Sequence, residues 1–167
     1  MLKRDDALAD FSRDHLPALR QAKYMRHAGT EDGEYSPREA AEGFLEFWED
    51  HAALHFNEEE TVILPVLSRL GAVTEDEDIR RMLDDHAWFR DKVKVLREAV
   101  DSDRDLTELV HEVGERLKDH AEMEEQVIFE DLQERLDEEQ LEEIHERSIQ
   151  FRERWRPDDI GPRESEN

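Results

Sequence analysis

The chain has 167 residues, of which 37% are hydrophobic, and this suits one domain with a sizeable core. It has no cysteine, which excludes disulfides, thiolate metal sites and cysteine nucleophiles. Its net charge of −24 at pH 7 argues against nucleic acid and anionic membrane as partners.

The charge also indicates the conditions in which the protein works. Only 5 of the 23 basic residues are lysine, and a carboxylate-rich, lysine-poor surface suits molar salt, where the screening length is about 3 Å. We therefore expect a halophilic source, with an ordinary acidic protein as the alternative. The N-terminus lacks the apolar run of a signal peptide, and no stretch approaches the roughly 18 apolar residues of a membrane span, so we expect a cytoplasmic protein with no membrane partner.

Apolar residues at helical spacing predict a first helix from about Asp5 to His27. His15 lies within its apolar stripe. Pro17, inside the same span, favours a kink or a break just after His15. A loop over 30–35 follows.

The second predicted helix opens with a capping box, in which Ser36 is followed three residues later by Glu39, with Pro37 at the first helical position. It ends near Leu70. Pro65 should kink it, because proline lacks the backbone N–H that an interior helical residue donates.

Two more long helices and a shorter fifth one follow. The third opens with a capping box over Thr74–Glu77, the fourth starts within 102–105 and ends at about Leu136, and the fifth runs from Asp137 to just before Pro157.

Four long helices with short connections favour an all-α, up-down-up-down four-helix bundle with an additional C-terminal helix. The bundle is expected over 1–136. The additional helix, 137–156, would pack on the bundle or on a second subunit, and 157–167 is predicted to be a disordered tail.

One ten-residue motif occurs twice, on the second and fourth predicted helices. In each copy a histidine is followed four residues later by a glutamate, so both side chains lie on one helical face. A further histidine precedes each copy, on the first and third helices. The motifs are His55–Leu64 and His120–Phe129, and the residues concerned are His55 with Glu59, His120 with Glu124, and the upstream His15 and His86.

A four-helix bundle can place these four imidazoles and two carboxylates at similar depth in one core. Imidazole and carboxylate without sulfur suit iron, manganese or zinc more than calcium or magnesium. A structural zinc ion needs only four ligands, whereas six ligands in two similar halves suit two ions bridged by the glutamates. A single buried histidine is more often a hydrogen-bonded core residue than a ligand, but four at matched positions favour a metal site.

The repeated motif resembles the hemerythrin family, in particular its HHE cation-binding domains. Those domains have one histidine on each of helices one and three. On each of helices two and four they have the sequence His-x-x-x-Glu-Glu-x-x, followed in order by an apolar residue, by Phe or Leu, and by Pro. Here the pattern is complete from His55 to Pro65, and Glu130 stands in place of the proline in the second copy. The resemblance covers about residues 8–136.

The resemblance implies a non-haem di-iron centre, with an oxo or hydroxo bridge, that meets O₂. Manganese or zinc are alternative metals. The metal ligands that it implies are His15, His55, Glu59, His86, His120 and Glu124.

One position departs from the oxygen carriers of the family, which have another histidine one turn before the ligand on the third helix. Here that position is Met82, which weighs against reversible O₂ carriage. Water, His51 or Glu58 are candidates to fill the vacant place.

Several acidic residues next to the implied ligands are expected at the surface. Glu58, Glu60 and Glu125 are predicted to be solvated, although Glu60 or Glu125 would replace its neighbour as ligand after a small helix rotation. Asp14 and Asp85, directly before the upstream histidines, are also expected to be solvated, with contact to a ligand as the alternative.

Three classes of function remain. The leading one is a non-enzymatic binding protein, with no catalytic residue, whose centre binds, senses or stores O₂, NO or iron. The alternative is a di-iron enzyme that activates O₂ or peroxide with electrons from a separate reductase. A purely structural acidic bundle leaves the matched histidines unexplained. The expected partners are O₂ or another small diatomic molecule, a reductase, or a second copy bound through the C-terminal helix.

Overall fold

The computed structural model describes residues 3–156, so the predicted tail at 157–167 lies outside the described residues. Within this part of the chain, no helix is long and apolar enough to cross a membrane. The all-α prediction is confirmed. The helices are α1, Asp6–Arg26; α2, 37–68; α3, Glu77–Val100; α4, 107–135; and α5, Glu138–Arg154, with a short 3-10 turn at Val73–Glu75.

Helix α1 continues without a break through Pro17. The carboxylate of Asp5 accepts a hydrogen bond from the Ala7 N–H and caps the helix. Beyond its C-terminal end, Gly29 has a φ of 74°, a left-handed conformation that glycine adopts at little cost. This residue begins the reversal that makes α2 antiparallel to α1.

One of the two predicted capping boxes is confirmed, the one that begins at Ser36. The structure has a further capping box at the start of α5, formed by Asp137 and Gln140. The predicted box at Thr74 is wrong, because Val73–Glu75 form a 3-10 turn. The carboxylate of Asp76 accepts from the first N–H groups of α3 instead.

Two of the helices contain π turns, in which the backbone hydrogen bond reaches one residue further than in an α-helix. Helix α2 has π turns at Trp48–Ala52 and Glu59–Ile63, and α4 has one at Glu124–Ile128. The last two occupy the same place in the two motif copies, and each begins at an implied ligand. Val127, which simple periodicity places in the apolar stripe, is 41% exposed, whereas the corresponding Val62 is 2% exposed, since α5 packs against the π turn that contains it.

The core has two apolar layers, and along α1, α3 and α4 the implied histidine ligand lies between them. On α2, His55 lies at the edge of the first layer, next to Phe56. One layer contains Phe44, Trp48 and Phe89. The other contains Phe11 and Met82, together with Ile144 of α5. Helix α5 packs on α1 and α2. The bundle therefore encloses a polar layer between two apolar ones, and α5 covers one side of it.

Candidate metal centre

The six implied ligands meet in the middle of the bundle. Helices α1 to α4 each supply one histidine, and α2 and α4 each supply one glutamate. All six are buried, with exposed fractions of 6% or less. They are His15, His55, Glu59, His86, His120 and Glu124.

The two oxygens of Glu124 face different histidine pairs. Its Oε2 lies 3.0 Å from His15 Nε2 and 3.6 Å from His55 Nε2. Its Oε1 lies 2.8 Å from His120 Nε2 and 3.5 Å from His86 Nε2. One carboxylate of α4 thus spans the imidazoles of all four bundle helices.

Glu59 spans the same two pairs from α2. Its Oε1 lies 3.1 Å from His55 Nε2, and its Oε2 lies 3.2 Å from His86 Nε2. The residues therefore form two groups, each with two histidines and both glutamates, in which one ligand atom per residue lies within 4.8 Å of the others. This geometry gives two adjacent cation positions that share two carboxylates.

Several polar atoms of the centre have no hydrogen-bond partner among residues 3–156, although their neighbours are close. Buried polar atoms are almost always satisfied in folded proteins, and an unsatisfied one is costly. Imidazole and carboxylate donors without sulfur suit transition metals, so the residues present fit a pair of metal ions. The unpartnered atoms are Nε2 of His55, His86 and His120, both oxygens of Glu59, and Oε1 of Glu124.

The second ring nitrogen of each histidine, Nδ1, contacts another carboxylate, which we call an outer carboxylate. A carboxylate that accepts from Nδ1–H fixes the tautomer and leaves Nε2 free for a metal. The Nδ1 distances are 3.2 Å from His15 to Glu125, 3.3 Å from His55 to Asp14, 2.8 Å from His86 to Glu60, and 3.2 Å from His120 to Asp85.

An arginine pairs with each outer carboxylate. The centre therefore contains four chains of contacts, in each of which an arginine holds a carboxylate and the carboxylate holds a histidine. The ion-pair distances are 2.6 Å for Arg4 with Glu125, 2.7 Å for Arg152 with Asp14, 2.8 Å for Arg90 with Glu60, and 2.8 Å for Arg116 with Asp85.

Burial and clustered charge shift the pKa values of the metal-free centre. Burial opposes ionisation of Glu124, but the imidazoles, His120 first, outweigh it and hold the pKa of Glu124 well below its usual range. Burial likewise opposes protonation of His86, but its close contacts with three carboxylates, Glu124, Glu59 and Glu60, outweigh it and raise the pKa of His86 to about 10. Without metal, protons on the imidazoles balance the buried carboxylates.

A cavity of about 20 Å³ lies beside the centre, in contact with His15, His55 and His120. Its other walls include Phe47 and Leu117. A space of this size holds about one water molecule. The cavity therefore gives a small molecule a place next to the ligand atoms.

Sequence reasoning favoured a solvated position for the outer carboxylates and kept contact with a ligand as the alternative for Asp14 and Asp85. Asp85, expected to be solvated, is only 4% exposed, because it pairs with His120 and Arg116. Asp14 is half-buried and contacts His55. The signal that could have found both is the Asp-His pair repeated before each motif.

His51 and Glu58, the side chains considered as replacements for the histidine that Met82 displaces, lie outside the two groups of ligand atoms. His51 is exposed at the wall of the cavity. Glu58, expected at the surface, is 0% exposed and bonds to side chains of α5. Neither residue belongs to the two groups of ligand atoms, and Glu60 and Glu125 contact Nδ1 atoms instead.

Helices that surround two adjacent nitrogen and oxygen donor sets define the class of this protein, a helical bundle suited to binding cations. The model of the hemerythrin HHE cation binding domain matches residues 6–132. The chain belongs to this family, and the resemblance seen in its repeated motif is confirmed. No curated protein and no solved structure matches the chain.

Proposed function

We propose that the chain holds two iron ions in a non-haem di-iron centre, and that this centre binds or senses O₂ or NO, or handles iron. The observation that carries the proposal is the sharing of both glutamates between two groups of ligand atoms. Each position then has two imidazoles and two shared carboxylates, which leaves room for a further ligand. The proposed ligands are His15, His55, Glu59, His86, His120 and Glu124.

The cavity supports a small ligand. Its volume of about 20 Å³ suits a water-sized or diatomic molecule and not an organic substrate. Bound ferrous iron would supply the electrons and the coordination position that O₂ or NO requires. The chain orients the imidazoles through the outer carboxylates and restricts water through the apolar walls, among them Phe47 and Leu117.

A second candidate is a di-iron enzyme that activates O₂ or peroxide with an external reductant. The observation that favours it is Met82, which is 1% exposed, lies in an apolar layer and adds no imidazole to either group. A thioether is a poor ligand for ferric iron. The side of the centre near α3 thus has one nitrogen donor fewer than an oxygen carrier.

Elemental analysis of protein from iron-replete cells tests the proposal, and two iron ions per chain are expected. One zinc ion and no iron would falsify it. Optical spectra of the ferrous protein then separate the two candidates. A spectral change on exposure to O₂ that reverses when the gas is removed indicates binding, whereas continued consumption of O₂ or peroxide with a reductant indicates an enzyme.

We also propose a halophilic and cytoplasmic setting, and the net charge of −24 supports its halophilic part. Salt screens the mutual repulsion of surface carboxylates. The unfolding temperature should therefore rise as potassium chloride is raised to molar concentration. An unfolding temperature that salt leaves unchanged counts against a halophilic source.

A further inference from the structure

Helix α5 lies beyond residue 132, where the family match ends, yet it reaches the metal centre. Arg152 Nη2 lies 2.7 Å from Asp14 Oδ2. The same Asp14 oxygen lies 3.3 Å from Nδ1 of His55. A helix outside the four-helix bundle thus supplies the last link in one of the four chains of contacts.

Glu58 fixes Arg152 in this place. Its carboxylate is 0% exposed and stands one residue before the shared Glu59. It accepts hydrogen bonds from Arg152 Nε at 2.9 Å and Nη2 at 2.7 Å, and another from the Ser148 hydroxyl. A forked arginine contact of this kind is directional. Loss of the Arg152 guanidinium would leave the negative charge of Glu58 unpaired and buried beside the centre.

The other three outer arginines come from the bundle or from the segment just before it. Arg90 lies on α3, Arg116 on α4, and Arg4 two residues before α1. Only the chain of contacts to His55 passes through α5. Metal binding at His55 and the docking of α5 on the bundle therefore depend on the same contacts.

We propose that α5 is part of the metal centre: Arg152 is a positioning residue that acts on His55 through Asp14, and α5 and the metal ions stabilise one another. Asp14 keeps 27% of its side chain exposed, so without Arg152 it can turn to solvent and release Nδ1 of His55. Because coupling between two sites is reciprocal, a metal that fixes His55 also favours the docked α5. This inference rests on the proposed function and deepens it, since it names the element that retains the metal.

The test compares Arg152→Gln with Arg147→Gln. Arg147 lies on the same helix, is 45% exposed and pairs with Glu143, so it is a matched control. Each protein is loaded with Fe(II) without oxygen, and the rate of iron transfer to a colorimetric chelator is measured. Arg152→Gln should release iron about tenfold faster than wild type, the lower end of the range found when a direct partner of a metal ligand is changed, because Arg152 acts on His55 through Asp14. Arg147→Gln should match wild type, and equal rates in all three proteins overturn the proposal.

The absorption bands of Co(II)-loaded protein report ligand geometry, which a merely structural role for Arg152 would not alter. Arg152→Gln should change these bands. Arg152→Lys, which keeps the charge but not the fork, should restore them in part. Bands identical to wild type in Arg152→Gln contradict a positioning role.

Amide hydrogen exchange of the wild-type protein tests the same proposal without a substitution, so it applies even if Arg152→Gln does not fold. Amides of α5 should exchange about tenfold more slowly with Fe(II) than without it, whereas those in the last turn of α3 should change little. If α5 is unaffected while two iron ions bind, this inference fails and the proposed function stands. If no iron binds, both fail.

Discussion

The two halves of the centre have the same kinds of ligand but different covers. Phe56, which follows the ligand histidine of α2, stacks on His86 with ring centroids 4.1 Å apart. The corresponding residue of α4 is the much smaller Ala121, which lines the cavity beside His15 and His55. Phe56 thus covers the ring of His86 and also forms part of the cavity wall, and the small side chain of Ala121 leaves space in that cavity for a small molecule.

The halves also differ in the origin of their outer arginines. Asp85 pairs with Arg116, which belongs to the bundle, whereas Asp14 pairs with Arg152 of α5. The half in which both histidines, His15 and His55, line the cavity is therefore the half that takes an outer arginine from α5. Two near-identical sets of implied ligands can therefore differ in how easily a small molecule reaches them and in which residues hold them in place, because the surrounding residues are not repeated.

The largest expected effect comes from removing a ligand of either half. His55→Ala and His120→Ala should each lower the iron content from two ions per chain to almost none, because both positions share the same carboxylates. Elemental analysis after iron loading measures this. His111→Ala is the control, since His111 Nε2 donates to the Ala28 carbonyl at 2.9 Å, outside the ligand groups. Loss of a single ion from either ligand variant would show that the halves bind independently.

Metal removal should destabilise the fold, by about 4 kcal/mol relative to protein at an iron concentration 1,000 times Kd. In the metal-free protein, the raised pKa of His86 contributes stability that is present below pH 6.5 and lost as the pH rises to about 10. Metal replaces the proton, so the loaded protein escapes this loss. Thermal unfolding with and without chelator should show a gap that widens from pH 6.5 towards pH 10. Equal unfolding temperatures throughout would rule out a buried metal centre.

Asp85→Asn should weaken iron binding by about 10- to 100-fold, because it removes the charge that holds Nδ1 of His120 at 3.2 Å. Competition with a chelator measures the affinity. Asp84→Asn changes the exposed neighbouring residue and should have no effect. Asp14→Asn makes the same test of the outer carboxylate in the other half, so that the iron affinities of the two variants can be compared. Equal affinities for Asp85→Asn and Asp84→Asn would mean that the outer carboxylate is not needed.

The smallest effect is expected at Met82. Met82 and Phe11 hold corresponding positions, four residues before His86 and His15, and are 1% and 0% exposed. Met82→His would bring an imidazole to one half only and should slow the oxidation of the ferrous protein by O₂ several-fold. Stopped-flow mixing measures the rate, and Met82→Leu serves as the control of similar size. If the histidine variant oxidises at the wild-type rate, another group near the centre, such as His51, sets the oxidation rate.

Four long helical segments with short connections were enough to predict the fold class, and the resemblance of the repeated motif to the HHE domains was enough to predict the family. The ligand roles of the matched histidines and glutamates stay a prediction that metal analysis will test. The run Glu58, Glu59 and Glu60 shows what the sequence could not reveal. In the structure the first bonds to α5, the second joins the centre and the third contacts His86. Their directions depend on the π turn at Glu59–Ile63 and on which helices lie nearby, and neither follows from local periodicity.

Under the proposed function, a diatomic gas and a metal ion would reach the buried centre by different routes. The cavity of about 20 Å³ admits one water-sized molecule, but an iron ion in solution carries a shell of several waters. A gas can enter through side-chain motions on the picosecond to nanosecond timescale. Iron enters only when helices part, which is as slow as local unfolding. If the proposed di-iron centre forms, the fold would act as a kinetic filter that neutral diatomic molecules cross quickly and cations cross slowly, so that bound iron would remain through many exchanges of gas.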